Sequence, residues 1–269
     1  MKIILFSTQK GGVGKTSGTV HGAYYFAENK KRTLILDADV QGDTSYSLSF
    51  FKANNIKCSE LFTKEIQVLP QKDSSEAPEN IDNRLFNNYS EFITVIPADE
   101  SLVDIDQLDL NDVATNFKKN VDFLSEHFDV CFIDSGAAVG HKMVAMMSVI
   151  DGLISPIELK KYSLNGIERT IKTLSYFKNT VNPKLEFLGI LPFKVDFGKP
   201  RQKKNYQLLM EEVPNLIAPL KIHDRDGIDE ALEEKIPVWK VKKTAARLAA
   251  KEMKSLYSYI SKRMNLGVE

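Results

Sequence analysis

The stretch that decides the fold is Lys10-Gly11-Gly12-Val13-Gly14-Lys15-Thr16. It follows the apolar run Ile3-Ile4-Leu5-Phe6 and precedes a helical pattern at residues 20–26. A strand, a glycine-rich loop and a helix in this order form a cradle for phosphate, because backbone N–H groups can approach phosphate oxygens where no Cβ intervenes. The helix adds the positive end of its dipole and its unpaired first-turn donors. Lys15 is placed to reach the β- and γ-phosphates, and the Thr16 hydroxyl is placed to ligate Mg²⁺.

One position of this loop departs from the general phosphate-loop pattern. The pattern Gly-x-x-x-x-Gly-Lys-[Ser/Thr] would place its first glycine at Gln9, whereas here a second lysine, Lys10, begins the loop. The segment resembles the deviant Walker A motif, Lys-Gly-Gly-x-Gly-Lys-Thr, of the ParA/MinD family of ATPases. The resemblance implies a sandwich dimer in which Lys10 reaches into the partner's active site. It also implies that ATP is bound by Lys10, Gly11, Gly12, Val13, Gly14, Lys15, Thr16 and Ser17.

An acidic motif follows the next predicted strand, at residues 32–37. The segment Asp37-Ala38-Asp39-Val40-Gln41-Gly42-Asp43 stands at the carboxyl end of that strand, where ligands bind in open parallel sheets. Helix capping explains Asp43 but not two aspartates with alternate spacing. The segment resembles the family's switch I motif, Asp-x-Asp-Pro-Gln-Gly-Asn, with Val40 where proline is usual. The resemblance implies that Asp39 positions the attacking water and helps to hold the metal shell.

A third motif ends the apolar run Asp129-Val130-Cys131-Phe132-Ile133-Asp134. An acid at the carboxyl end of such a strand is the Walker B form, whose aspartate holds Mg²⁺ through water. Together with the resemblance, these motifs imply a metal set of Thr16, Asp39 and Asp134. The chemistry expected of them is phosphoryl transfer to water, with Lys10, Lys15 and Asp39 as the implied catalytic residues. The family continues with Asp-x-Pro-Pro, whereas this chain has Ser135-Gly136-Ala137-Ala138, which leaves the conformation of this switch II segment open.

The remaining pattern predicts an α/β fold: one doubly wound, mostly parallel sheet with helices on both faces, in a single P-loop domain over residues 1–269. Short apolar runs predict further strands at residues 92–98, 151–158, 185–191 and 216–222. An irregular surface segment is expected near residues 56–91. A helix predicted at residues 243–264 has an apolar stripe that should dock on the core. The stripe consists of Ala249, Met253, Leu256, Ile260 and Met264.

The residues that hold the adenine base are less clearly marked. Many family members place asparagine after the strand predicted at 185–191, whereas this chain has Pro192-Phe193-Lys194. Adenine would then be held by backbone groups or by stacking on Phe193. The family's Pro-Val loop lines the base pocket, so Pro237 is a further candidate contact. Where relatives commonly carry a glutamate, this chain has Lys160, so a contact across the dimer that uses that acid is expected to be rewired.

Composition restricts the class of protein. The chain has 269 residues, of which 43% are hydrophobic and 27% charged, values typical of a soluble globular protein with a sizeable core. It contains no run of about 18 apolar residues, and its start is not that of a signal peptide, so no membrane span or leader is expected. The two cysteines lack a CxxC spacing, which indicates a reducing compartment and no metal framework.

Charge is unevenly distributed although its formal sum is zero. Residues 73–112 contain eleven acids and one base, and residues 235–263 contain nine bases and one acid. Two basic clusters are candidates for DNA contacts: Lys199, Arg201, Lys203 and Lys204, and Lys240, Lys242, Lys243 and Arg247. A solvated helix face is an equally good interpretation of each cluster. Partition ATPases of the family bind DNA non-specifically in this region, through phosphate contacts that weaken with salt.

The resemblance covers nearly the whole chain and implies a partition ATPase of the short ParA type. It implies an ATP- and Mg²⁺-dependent homodimer with weak intrinsic hydrolysis, which binds DNA non-specifically and is stimulated by a centromere-binding, ParB-like adaptor. No helix-turn-helix precedes the loop, so sequence-specific operator binding is not expected. Residues 265–269 are too short to bind a bilayer, so a cytoplasmic, nucleoid-associated protein without membrane attachment is expected.

Two alternatives to DNA partition remain open, and two other classes fit poorly. The protein could instead position a protein cargo or assembly, or bind nucleotide as a scaffold without hydrolysis. Cys58 and Cys131 do not suit a reductase of the nitrogenase iron-protein type, and Tyr257 and Tyr259 are a poor substitute for the tyrosine cluster of a bacterial tyrosine kinase.

Overall fold

A parallel sheet forms the centre of the molecule. The computed structural model describes residues 1–8, 10–72, 83–137, 139–159 and 164–268. The strands in these ranges are β1 (Lys2–Phe6), β2 (Thr33–Ala38), β3 (Ile93–Ile96), β4 (Val130–Ser135), β5 (Gly152–Ile157) and β6 (Glu186–Pro192). All pair in parallel, in the order β3-β2-β4-β1-β5-β6. This arrangement confirms the predicted α/β class.

Helices connect the strands and cover the sheet. The helices within the described ranges are α1 (Lys15–Glu28), α2 (Asp43–Ser47), α3 (Glu60–Thr63), α4 (Asn83–Ser90), α5 (Leu110–Ser125), α6 (His141–Val149), α7 (Leu164–Thr180), α8 (Pro200–Glu212), α9 (Asp226–Glu233) and α10 (Thr244–Met264). Among these helices, none has both the length and the apolar character that a bilayer-spanning helix requires.

The central strand β1 is buried on both faces. Successive side chains of a strand point to opposite faces. Accordingly, Ile4 and Phe6 pack in the apolar cluster that contains residues of α1 and α10. Ile3 and Leu5 pack in the opposite cluster, which contains residues of α5 and α6. This burial on two faces explains why the strand is a continuous apolar run rather than an alternating one.

Helix α1 lies unusually close to the sheet, and glycines make this possible. A Cβ on Gly18 would lie 2.6 Å from the ring of Phe6, and one on Gly22 would lie 2.9 Å from the ring of Phe132. On its other side, the Tyr257 hydroxyl of α10 donates a hydrogen bond to the Gly18 carbonyl at 2.6 Å. The helix that begins at the glycine-rich loop is therefore fixed between the sheet and α10.

The prediction of a strand at residues 216–222 is wrong. The segment contains the short 3-10 turn Pro214–Leu216, and single parallel bridges join Ile190 to Ile217 and Val195 to His223. Proline has no N–H donor, so Pro219 interrupts a continuous ladder along this edge of the sheet.

Two other predicted segments can be compared with the structure, one of them only in part. Between residues 56 and 91 the described part contains the short helices α3 and α4, and residues 73–82 of the segment lie outside it. Helix α10 matches the helix predicted at residues 243–264, and its predicted apolar stripe is buried. That the chain forms a single domain stays a prediction.

Candidate functional site

A cavity of about 490 Å³ opens at the carboxyl ends of the central strands. The register explains the location, because Asp134 at the end of β4 pairs with both Phe6 of β1 and Asp37 of β2. Its lining includes residues 11–17, Asp39 and Ala137. The other lining residues include Asp43, Tyr46, Lys194, Asp229, Leu232 and Glu233. The volume lies in the range of small-ligand and cofactor sites.

The glycine-rich loop presents backbone donors to this cavity. Gly14 precedes α1 with a φ of 94°, a left-handed conformation that favours glycine. A Cβ there would also lie 2.5 Å from the ring of Phe193. None of the described side chains caps the start of α1, so its first N–H groups are available for an anion.

The two lysines of the loop have different surroundings. Lys15 is 8% exposed and lines the cavity, and its Nζ donates to the carbonyl of Lys10 at 3.3 Å. The Lys10 side chain instead forms an ion pair with Glu158, with 2.7 Å between Nζ and Oε2. The structure therefore brings Lys15 to the predicted phosphate site and places the Lys10 ammonium against an acid of its own chain.

Asp134 is a buried carboxylate in contact with Thr16, one of the residues that line the cavity. Its Oδ2 accepts hydrogen bonds from the hydroxyls of Thr16 at 2.7 Å and Thr44 at 2.6 Å. Its Oδ1 is buried and has no hydrogen-bond partner in the described part of the chain. Burial raises the pKa of Asp134 to about 6, although the two hydroxyl hydrogen bonds favour the ionised form.

These groups fit a hydrated Mg²⁺ ion. A buried carboxylate oxygen without a partner, beside a hydroxyl at the start of a phosphate-binding helix, can hold a water of the metal shell. Within the described ranges, no cluster of three or more His, Cys, Asp or Glu side chains could hold a metal. Mg²⁺ does not require such a cluster, because it keeps several waters and is completed by substrate phosphates.

The two aspartates of the switch I motif differ in their surroundings, since Asp37 is buried and Asp39 lines the cavity. Asp37 is fully buried, and its Oδ2 accepts from the N–H of Ser45 at 2.7 Å and from its hydroxyl at 2.6 Å. Burial, followed by the nearby charge of Asp134, raises the pKa of Asp37 to about 7. Asp39 lines the cavity, and its carboxylate lies 3.6 Å from the position of a Cβ on Gly136. Asp37 therefore fixes the segment, and Asp39 faces switch II.

The expected adenine contacts require correction. Phe193 is 0% exposed and packs under Gly14, so its ring has no free face for a base. Pro237 is buried and lines a separate small pocket with Tyr24 and Phe51. The adenine contacts predicted for both residues do not match this arrangement, because Phe193 supports the loop from below and Pro237 packs elsewhere.

Sequence reasoning missed several residues of the site. Thr44 follows the switch I motif directly, and a hydroxyl beside that motif was a local signal. Lys194, Asp229, Leu232 and Glu233 gave no such signal, since tertiary packing alone brings α9 to the loop. Ala138 and Lys160 lie outside the described residues.

The residues predicted to contact DNA are all exposed, on or beside α8 and α10. Two of them are engaged by acids: Lys199 pairs with Asp196 at 2.7 Å, and Lys243 pairs with Glu230 at 2.6 Å. A second, larger groove of about 820 Å³ runs along α10 and includes Lys251, Lys254 and Lys262 among its lining residues. It lies away from the glycine-rich loop.

The fold and the loop define a P-loop nucleotide-binding protein, and comparisons with known proteins agree. A family model described as AAA_31, an AAA domain, matches residues 1–187. IncC of Escherichia coli is 38% identical over 267 residues, which cover 99% of this chain and 71% of IncC. The chromosome partitioning protein ParA of Myxococcus xanthus is 27% identical over 192 residues, which cover 71% of this chain and 64% of ParA. The solved structure of a Cyanothece McdA variant with ATP shares the fold, with a TM-score of 0.75 at 21% identity, covering 97% of this chain and 96% of McdA.

This chain belongs to the AAA_31 family and is a P-loop ATPase of the ParA/MinD type. The resemblance that the loop, switch I and Walker B motifs indicated is thereby confirmed.

Proposed function

We propose that this protein is a Mg²⁺-dependent DNA-partition ATPase that acts as an ATP-bound sandwich dimer. The observation that supports hydrolysis best is that Lys15, Thr16 and Asp39 line one cavity and that Thr16 donates a hydrogen bond to the buried Asp134. The Oδ1 of Asp134 has no partner in the described part of the chain. Phosphoryl transfer to water needs these groups, because catalysis consists mainly of positioning and of neutralising charge on the transferred group.

Each residue has a part in this scheme. The loop N–H groups and Lys15 bind the phosphates, and the Thr16 hydroxyl ligates Mg²⁺. Asp134 and Asp39 hold waters of the metal shell, and Asp39 orients the attacking water. When bound, Mg²⁺ supplies positive charge that neutralises the phosphates. Lys10 of the partner subunit adds the remaining positive charge.

The base end of the nucleotide lies against the part of the cavity that Tyr46, Lys194, Asp229 and Leu232 line. Tyr46 is 62% exposed there, and Lys235 lies 4.3 Å from the centroid of its ring. An exposed ring can stack on a base, since every base has a π-face. Leu232 and the polar groups of Lys194 and Asp229 complete this part of the lining. These residues replace Phe193 and Pro237 as proposed adenine contacts.

Partition of DNA is supported by the relatives and by the basic surface. ParA of Myxococcus xanthus is named a chromosome partitioning protein. The exposed Lys and Arg side chains of α8 and α10 suit contacts with DNA phosphates that do not read the nucleotide sequence. The proposal includes association with the nucleoid in the cytoplasm and stimulation of hydrolysis by a ParB-like adaptor. A dimer would double the basic surface and gain avidity.

The dimer and the role of Asp39 can be tested together. Asp39→Ala should accumulate as a dimer with Mg-ATP, because ATP binds but the attacking water is not oriented. Sedimentation measures the dimer, and phosphate release measures hydrolysis. Asp43→Ala is the matched control, because it removes a carboxylate from the same cavity and should not trap the dimer. Finding only monomer of Asp39→Ala with ATP would contradict the proposal.

A further inference from the structure

The ion pair between Lys10 and Glu158 connects the ends of two adjacent strands. Lys10 follows β1, and Glu158 comes directly after β5, which pairs with β1. The distance between Lys10 Nζ and Glu158 Oε2 is 2.7 Å, and the side chains are 42% and 15% exposed. The Lys10 ammonium is thus neutralised within its own subunit.

Glu158 is the fixed member of this pair. On one side of it, the Ile157 carbonyl accepts a hydrogen bond from the Phe193 N–H at 2.8 Å. On the other side, Leu159 is fully buried, and its carbonyl accepts from the Asn205 side chain of α8 at 2.6 Å. A lysine has a flexible four-carbon stem, so Lys10 is the member that can move.

We propose that Glu158 is a positioning residue that holds Lys10 in its own subunit and thereby opposes assembly of the ATP dimer. This inference rests on the proposed function, in which Lys10 acts in the partner's site. One ammonium cannot occupy both places, so a symmetric dimer must break two of these ion pairs. Ion pairs near the surface shift an equilibrium by about 1.4- to 5.4-fold each, so two of them change the dimerisation constant by about 2- to 30-fold.

The test is Glu158→Gln, which keeps the shape and a hydrogen-bond acceptor but removes the charge. With Mg²⁺ and a non-hydrolysable ATP analogue, sedimentation should show half-dimerisation at a protein concentration about 2- to 30-fold lower than for the wild type. Affinity of the monomer for the analogue should not change, because Lys10 does not line the cavity described above.

The chain offers a matched control at the opposite ends of the same strands. Lys2 of β1 pairs with Asp151, which directly precedes β5, at 3.1 Å, and Lys2 is 45% exposed. Asp151→Asn removes the same kind of charge from the edge far from the phosphates. It should leave dimerisation unchanged, and an equal shift in both variants would overturn the inference.

A second pair of variants shows whether the effect acts through Lys10. In a Lys10→Met background, Glu158→Gln should no longer promote dimerisation, and a persistent shift would overturn the inference. If the wild type dimerises and Glu158→Gln behaves identically, the inference fails and the proposed function stands. If neither protein dimerises with the analogue, the proposed dimer is wrong, and the inference fails with it.

Discussion

At the scale of single residues, the sequence is informative where the chemistry depends on a local run. The loop, Asp39 and Asp134 could be predicted because each follows directly from a strand that ends at the same edge of the sheet. Phe193 could not be assigned correctly, since its contact with Gly14 joins residues far apart in the chain. An aromatic residue after a strand has the same local pattern whether it stacks on a base or supports a loop.

The two aromatic residues near the cavity should respond differently to substitution. Phe193→Leu should lower the free energy of unfolding by about 1–2 kcal/mol, because it leaves a gap under the loop. Tyr46→Ala should weaken ATP binding while changing stability by less than about 0.5 kcal/mol, since Tyr46 is mostly exposed. Chemical unfolding and calorimetric titration measure the two effects. Unchanged stability with weakened binding in Phe193→Leu would restore the stacking hypothesis.

At the scale of elements, the position of α1 could be predicted from the sequence, but the surroundings of its side chains could not. The helix follows from the loop and the pattern after it, but His21 belongs to no motif of the sequence. The structure buries His21 completely, with Nδ1 2.9 Å from the Ser17 carbonyl. Its ring lies edge-on to Trp239, with 6.0 Å between the centroids. Burial lowers the pKa of His21 from 6.5 to about 4.

This pKa makes stability depend on pH. The unfolded chain takes up a proton at His21 near pH 6.5, and the folded chain does so only near pH 4. The contribution of neutral His21 is therefore fully present above pH 6.5 and is lost as pH falls. The loss should be about 2 kcal/mol between pH 6.5 and pH 5.

Urea unfolding at both pH values measures this slope. His21→Asn keeps a donor for the Ser17 carbonyl and cannot titrate in this range, so its slope should be smaller by that amount. A full slope in His21→Asn would assign the pH dependence to other groups.

At the scale of the whole molecule, the sheet could be predicted and its edge could not. Buried parallel strands are short apolar runs, so β1, β2 and β4 were recognisable in the sequence. The segment at 216–222 contains the same kind of residues, but Pro219 limits it to isolated bridges. Ion pairs could not be predicted from the sequence either. Lys243 and Glu230 are 13 residues apart in the chain, and only the fold brings them together.

The basic surface of the whole molecule leads to a prediction about DNA. Lys240 and Lys242 are exposed and form no ion pair in the described part of the chain, so they are better candidates than Lys243. Changing both to Gln should weaken binding of non-specific duplex DNA with ATP. The slope of log K against log salt should fall by about 0.9 for each DNA phosphate that the variant no longer neutralises.

A control variant removes two exposed lysines of α5, Lys118 and Lys119, which are paired with Asp122 and Glu65, and this variant should bind DNA as the wild type does. Equal retardation by both double variants would exclude this surface. A wild-type protein that dimerises with ATP without binding DNA would instead favour a positioning ATPase for a protein cargo.

The contact between Tyr257 and Gly18 has a consequence for the order in which the protein is made. The phosphate loop leaves the ribosome before α10 does, and the helix that follows the loop receives the Tyr257 contact only after about 240 further residues have been synthesised, from Gly18 to Tyr257. A nascent chain that stops before α10 would contain every motif of the nucleotide site and lack the packing that fixes them. The contact that fixes this helix from the side of α10 therefore forms late in translation, well after the residues of the loop have emerged.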